Sequence, residues 1–250
     1  MREIGWMIFL LLSVFILFLI VLFVLKKKFQ ITKKVFLICL IVFLLIELFL
    51  FGIVFLLYRY NYIPHKKYSN EQFSIPTYQS KMDQDEDGID DQTDILNNVK
   101  EYIATKPKYE SEYYVGGYPD DEYGVCTDVV AFGLKGAGYD LRELVYEDIL
   151  AHPDDYDIDI IDKDIDFRRV HNLKVYFEHH TIRLTMDITK IEEWQGGDIV
   201  VFENHIGIIS DKRNQKGIPF VIHHTSDYQS DYEEDILEIR DDIVGHYRMS

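Results

Sequence analysis

The stretch Gly196-Gly197-Asp198-Ile199-Val200-Val201-Phe202-Glu203-Asn204-His205-Ile206-Gly207-Ile208-Ile209-Ser210 decides the fold of the second half of this chain. Two short runs rich in Ile and Val flank Glu203-Asn204, and the glycine pair ahead of them supplies a turn. This predicts one strand ending at Phe202 and a second opened by His205, paired antiparallel. Phe220-Val221-Ile222-His223-His224 reads as a third strand and Gly245-His246-Tyr247-Arg248 as the last. Upstream, Tyr123-Gly124-Val125-Cys126-Thr127-Asp128 leads into Val129, Val130, Phe132 and Leu134. That apolar spacing fits a helix, closed by Gly136 and Gly138. The fold class is therefore α+β, a cysteine-bearing helix on a small antiparallel sheet.

The placement of Cys126 gives the first chemical reading. At a helix N-terminus the dipole and free N–H groups favour a thiolate, and the same N–H groups suit an oxyanion. A thiolate nucleophile needs a base. His205 opens one strand and His223 closes the next, so adjacent strands bring them together, with His223 orienting the ring of His205. His224 is the other candidate for that third position. The alternative for a lone cysteine is a small buried hydrophobe. Zinc is a further reading, drawing on Cys126, His179-His180, His205 and His223-His224. It is disfavoured because no H-E-x-x-H or C-x-x-C spacing exists. His65, His152, His171 and His246 read as ordinary surface or core residues.

Composition divides the chain. The 250 residues carry a net charge of −17. Residues 1–67 hold nine Lys/Arg and two Glu, near +7, which leaves the remainder near −24. This excludes a uniform soluble enzyme, a largely disordered chain and a channel made from the whole sequence. It also argues against nucleic acid, whose phosphates the acidic part would repel. Gly5–Leu25 and Val35–Tyr58 are apolar all round and long enough to span a bilayer core of roughly 30 Å. The nine-residue connection Lys26–Lys34 contains five lysines. It is placed in the cytoplasm, with both termini and the acidic part extracytoplasmic. Glu47 in the second span is either protonated and hydrogen-bonded to a neighbouring helix, through Ser13 for example, or a contact for another membrane protein. Cys39 lies in that span and Cys126 is alone beyond it, so the outer part forms no internal disulfide.

The domain plan is a two-helix membrane hairpin over 1–63, a linker over 64–82, an acidic loop over 83–94 and a catalytic domain over 95–250. The acidic loop reads D-x-D-x-D-G-x-x-D-x-x-D from Asp83 to Asp94. Asp83, Asp85 and Asp87 converge if the chain turns at Gly88. Ile89 offers its carbonyl, and Asp91 and Asp94 complete an oxygen set suited to structural calcium. The pattern resembles EF-hand-like and thrombospondin-type calcium loops, with a shorter Asp94 where EF-hands end in Glu. The other reading is a solvated acidic linker.

The order Y-x-G-G, C-T-D, G-D-I-V-V-F, H-I-G-I-I-S and V-I-H resembles the NlpC-like papain-fold cysteine hydrolases of bacterial cell walls. Cys126, His205 and His223 fall on that family's triad positions, and Tyr114 on the tyrosine before its glycine pair. A closer resemblance is to the bacterial domain-of-unknown-function family 1287. It is carried by G-G-Y-P, C-T-D-V-V, G-Y-D-L, I-D-x-R-R-V-x-N-L, G-D-I-V, H-I-G-I-I-S, V-I-H and G-H-Y-R between residues 116 and 248. Phe167 and His171 depart from that pattern, where His and Pro are expected. Thr127-Asp128 replaces the Ser-Gly common after the NlpC-like cysteine.

The resemblance implies a papain-like fold and hydrolysis of an amide in peptidoglycan or a peptide, with no organic cofactor. Tyr114, Thr127 and Asp128 would assist at the oxyanion and substrate. Residues 139–190 form a mostly helical insertion, whose Arg168 and Arg169 either grip substrate carboxylates or pair with local Asp residues. A non-catalytic calcium-dependent binding module, and an acyltransferase or protease with the same triad, are the alternatives.

Overall fold

The computed structural model describes residues 2–249. The chain divides into two units, Met1–Ile63 and Pro64–Ser250. The first consists of two helices, α1 (Arg2–Phe29) and α2 (Lys33–Arg59), both long and apolar enough to cross a membrane. Thr32 caps α2, its hydroxyl accepting the Val35 N–H at 3.4 Å. Phe18 stacks on Phe43 with centroids 3.7 Å apart. Glu47 lines an apolar groove with Leu11, Phe15, Leu44 and Phe51. The Ser13 hydroxyl donates to the Phe9 carbonyl at 2.8 Å, the usual back-bond of a helical serine.

The second unit is mixed α+β. Its strands are β1 (Tyr68–Ser69), β2 (Lys108–Tyr109), β3 (Tyr123–Gly124), β4 (Ile182–Arg183), β5 (Ile199–Phe202), β6 (His205–Arg213), β7 (Pro219–Ile222), β8 (Glu233–Glu234) and β9 (Ile243–Arg248). The main sheet is antiparallel in the order β4-β9-β5-β6-β7-β8, with β1 on the far end of β6; β2 and β3 pair separately. Phe202 faces His205 across the β5–β6 hairpin, and Ile208 faces Ile222 across β6–β7. Ile199 and Val201 face one hydrophobic core, Val200 and Phe202 another. With both faces covered, the run carries no polar alternation.

Four helices flank the sheet: α3 (Asp91–Ala104), α4 (Cys126–Gly136), α5 (Leu141–Ala151) and α6 (Val170–His180). Asp90 caps α3 through the Thr93 N–H. Val129, Val130 and Leu134 of α4 are fully buried in one core with Ile95, Val99 and Ile206. The expected helical character of 139–190 is therefore present in α5 and α6.

Residues 64–82 are not the loose linker that their Pro, Ser and Gln content suggests. β1 pairs with β6, Tyr68 opposite Arg213. Arg213 is fully buried and donates to the Asn70 side chain and to the Ile191, Trp194 and Gly217 carbonyls. His65 meets Asp235 at 2.9 Å, and Lys67 reaches Asp231 and Glu233. The segment is bound by polar contacts, which leave no apolar periodicity to read.

One buried carboxylate ties distant strings together. Asp198 receives Arg248 Nε at 2.6 Å and Nη2 at 2.8 Å, His246 Nε2 at 3.1 Å and Gln92 Nε2 at 2.8 Å. His246 is therefore a core residue, stacked on Trp194 at 3.7 Å.

Candidate functional site

Cys126 is the first residue of α4, half-buried, entered from extended Val125. Its sulfur faces the backbone N–H groups of Ile206, Thr127 and Cys126 itself, all of which favour the thiolate. Burial outweighs them and pushes the thiol up to about 11. The nearby Asp128 carboxylate adds to the rise, so burial and this charge act against the thiolate that the helix start was expected to favour.

His205, the residue before Ile206, opens β6 beside that sulfur-facing amide. Its Nε2 lies 2.9 Å from Nδ1 of His223, the rings at 87°. His223 Nε2 lies 3.3 Å from Glu234 Oε2. Three buried groups therefore form a chain, and its hydrogen-bond directions are linked. An ionised Glu234 accepts from His223 Nε2–H. His223 Nδ1 then accepts from His205 Nε2–H, and His205 Nδ1 keeps its lone pair. Protonating Glu234 reverses every bond and places a proton on His205 Nδ1. Burial, with Asp231 adding to it, raises Glu234 to about 7. Burial also holds both imidazoles well below their ordinary value, so both are neutral.

Gly207 makes this pair feasible. A Cβ there would lie 2.6 Å from Val221 Cγ1, 2.8 Å from the Ile222 carbonyl and 3.2 Å from His223 Cβ. The absent side chain lets β7 approach closely beside the dyad.

His224 points elsewhere. Its ring meets Tyr109 at 5.2 Å and Tyr232 at 5.0 Å and donates an N–H to the Gly124 backbone carbonyl. Its Nδ1 and the Thr127 hydroxyl, both near Cys126 in sequence or space, are buried without hydrogen-bond partners among the described residues. Tyr109, which the sequence did not single out, lies close enough to Cys126 for a thiolate there to raise its pKa. Glu110, Glu112, Asp121 and Asp227 interact around the same rim, which is acidic.

Other expected substrate contacts are committed within the domain. Arg168 is buried and bidentate on Asp128, whose carboxylate also accepts the Val125 N–H at 2.8 Å. The pair braces the turn before Cys126 and is not free to grip a substrate. Arg169 is exposed and lies 3.5 Å from Asp166. The Tyr114 hydroxyl donates to Asp121 at 3.1 Å, so its proton is not available to an oxyanion. The Tyr114 ring lies 5.1 Å under Arg168.

In the acidic loop, carboxylate oxygens of Asp83, Asp85 and Asp87 lie within 4.8 Å of one another, turned in by Gly88 at φ +93°. Asp94 is buried, its Oδ2 has no partner among the described residues, and burial with Asp87 and Asp85 raises it to about 6. Ile89 is exposed, its N–H on Asp87. Asp91 is engaged by the Gln84 N–H and the Tyr139 hydroxyl.

A mixed α+β domain that sets a cysteine at a helix start against a two-histidine pair is the class defined by this geometry. The chain belongs to the family described as Domain of unknown function (DUF1287), which it matches over residues 96–249. It is similar to the uncharacterized protein YijF of Escherichia coli (strain K12), 36% identical over 167 residues that span 62% of this chain and 80% of that protein. No solved structure matches it.

Proposed function

We propose that the second unit is a papain-like, NlpC-type cysteine amide hydrolase, held at a bacterial membrane by α1 and α2 and facing away from the cytoplasm. The observation that carries this reading is the His205–His223–Glu234 chain beside the helix start that bears Cys126. A buried, oriented imidazole next to a thiol is the minimal apparatus for acyl transfer.

The thiol and imidazole are neutral at rest, so proton transfer accompanies attack. His205 Nδ1 takes the thiol proton while sulfur bonds the amide carbonyl carbon. The oxyanion falls to backbone N–H groups at the start of α4. As the C–N bond breaks, His205 returns the proton to the departing amine. Water then attacks the thioester with His205 as base, releasing a carboxylic acid and the thiol.

Peptidoglycan is the substrate suggested by the NlpC-like resemblance. The acidic rim favours a segment carrying an ammonium group over an anionic polymer. The test is hydrolysis of purified wall fragments by the full chain, with products identified by mass spectrometry. Amide cleavage lost in Cys126→Ala supports the reading; undiminished cleavage in that variant would falsify it.

A calcium ion in the acidic loop is part of the same reading. The orphaned, buried Asp94 oxygen beside Asp85 and Asp87 favours a cation there, and hard oxygen donors suit calcium. Its role is structural, fixing the loop to the first turn of α3. The same observation supports the second reading, a calcium-dependent binding module without catalysis. In that case Cys126→Ala binds wall fragments as the wild type does and neither cleaves them.

A further inference from the structure

We propose a second metal site, for zinc or a similar divalent transition metal, where the C-terminal ends of α5 and α6 meet. Asp148 on α5 is buried, with its side chain 2% exposed. Its two oxygens lie 2.7 Å from His179 Nδ1 and 2.7 Å from His180 Nε2, both in the last turn of α6. His152, at the C-cap of α5, places Nε2 3.8 Å from the Asp148 Oδ1 that faces His180. Two imidazoles and one carboxylate thus converge from two helix ends, their donor atoms within 4.8 Å of one another, with His152 standing next to the carboxylate.

The donor set selects the ion. Imidazole nitrogens suit zinc and its neighbours and not calcium or magnesium, which take oxygen. Three protein N/O donors with a fourth position left for water match tetrahedral zinc. Bonds of roughly 2.0–2.2 Å put tetrahedral ligand atoms about 3.4 Å apart. Opening the 2.7 Å contacts by less than 1 Å makes that room. The ion replaces the protons that now join imidazole to carboxylate.

The surroundings are arranged as an outer shell. Asp155 Oδ2 lies 3.5 Å from His179 Nε2, the nitrogen that faces away from Asp148. The Tyr156 hydroxyl donates to Asp148 Oδ2. A carboxylate behind a ligating histidine and a donor behind a ligating carboxylate fix orientation and tautomer. The carbonyl ends of both helices add partial negative charge. The site lies in the helical layer that includes Arg168, so its role is to pin that layer.

The test uses the full chain in detergent, stripped with a chelator and dialysed. Zinc content, competition with a chromophoric chelator and the visible spectrum of the cobalt(II) form are measured. We expect one zinc per chain, a four-coordinate cobalt spectrum, and a rise in Tm on adding zinc. His180→Gln changes an exposed ring and leaves the fold intact by circular dichroism; it weakens zinc binding at least roughly tenfold. Cys126→Ala retains the zinc. The proposal is overturned if the chain takes up no zinc at micromolar concentration, in which case the cluster is a hydrogen-bonded clamp. It is equally overturned if a His179→Gln/His180→Gln variant binds as tightly as wild type, or if Cys126→Ala is the variant that loses the ion.

Discussion

Arg168 and Asp128 form a buried bidentate pair, Nε to Oδ1 at 2.7 Å and Nη2 to Oδ2 at 2.9 Å, across 40 residues of sequence. Arg168 also donates to the Glu112 carbonyl. The pair joins the segment before α6, the first turn of α4 and the loop ahead of β3. Removing one partner leaves the other charge buried. Arg168→Met should therefore lower stability by about 3–5 kcal/mol in urea unfolding. Arg168→Lys should recover only part of this, because ammonium cannot serve two oxygens and a carbonyl in one plane.

Glu234 gives a pH dependence of defined sign. Its folded pKa, about 7, stands above the ordinary value of 4.5. The native state therefore holds this proton more tightly than the unfolded chain. Its contribution is full below about pH 4.5 and is lost as pH rises through about 7, on the order of 3 kcal/mol. Glu234→Gln should flatten that slope in unfolding measured between these limits.

Activity should run the opposite way. Only ionised Glu234 leaves a lone pair on His205 Nδ1, so amide hydrolysis should rise through about pH 7. Glu234→Gln should lose this inflection and fall at least roughly 10²-fold in rate. A variant with an unchanged profile would remove Glu234 from the relay.

Gly207→Ala should do more damage than one methyl suggests. The new carbon meets a backbone carbonyl at 2.8 Å, which no rotamer change relieves. We expect a loss of about 1–3 kcal/mol from overpacking, and a larger drop in kcat than in substrate affinity as His223 is pushed from His205. Equal kcat at reduced Tm would mean the dyad tolerates the shift.

Calcium should stabilise the wild type and leave Asp94→Asn nearly unaffected. Millimolar calcium is expected to raise Tm at pH 7 and to have less effect at pH 5, where Asp94, at about 6, is protonated. Isothermal titration of the full chain at both pH values measures this directly.

The strands were legible because Ile199–Phe202 and Ile206–Ile209 are buried on both faces and therefore uniformly apolar. The helix start at Cys126 was legible from its glycines and the apolar spacing behind it. Glu234 was not. It stands in Asp231-Tyr232-Glu233-Glu234-Asp235, where an inward carboxylate reads the same as its solvated neighbours. The D-I-V and H-Y-R strings were visible as patterns, but their connection at Asp198 exists only in three dimensions. Arg168 failed as a substrate residue for a related reason: composition makes acidic partners abundant and does not say which one is buried. Sequence alone groups His179 and His180 with Cys126, His205, His223 and His224 as zinc candidates, because nothing in it places Asp148, 31 positions before His179, beside them.

The place of β9 has a consequence for biosynthesis. It lies between β4 and β5, yet it is made of residues 243–248. Until a ribosome has released those residues, β4 has no neighbour, β5 lacks one edge and the Asp198 carboxylate waits without Arg248. Pairing across such separations is slow and comes late. Until then the nascent domain carries an open sheet edge and an acid without its counter-charge, an interval in which chaperone protection matters.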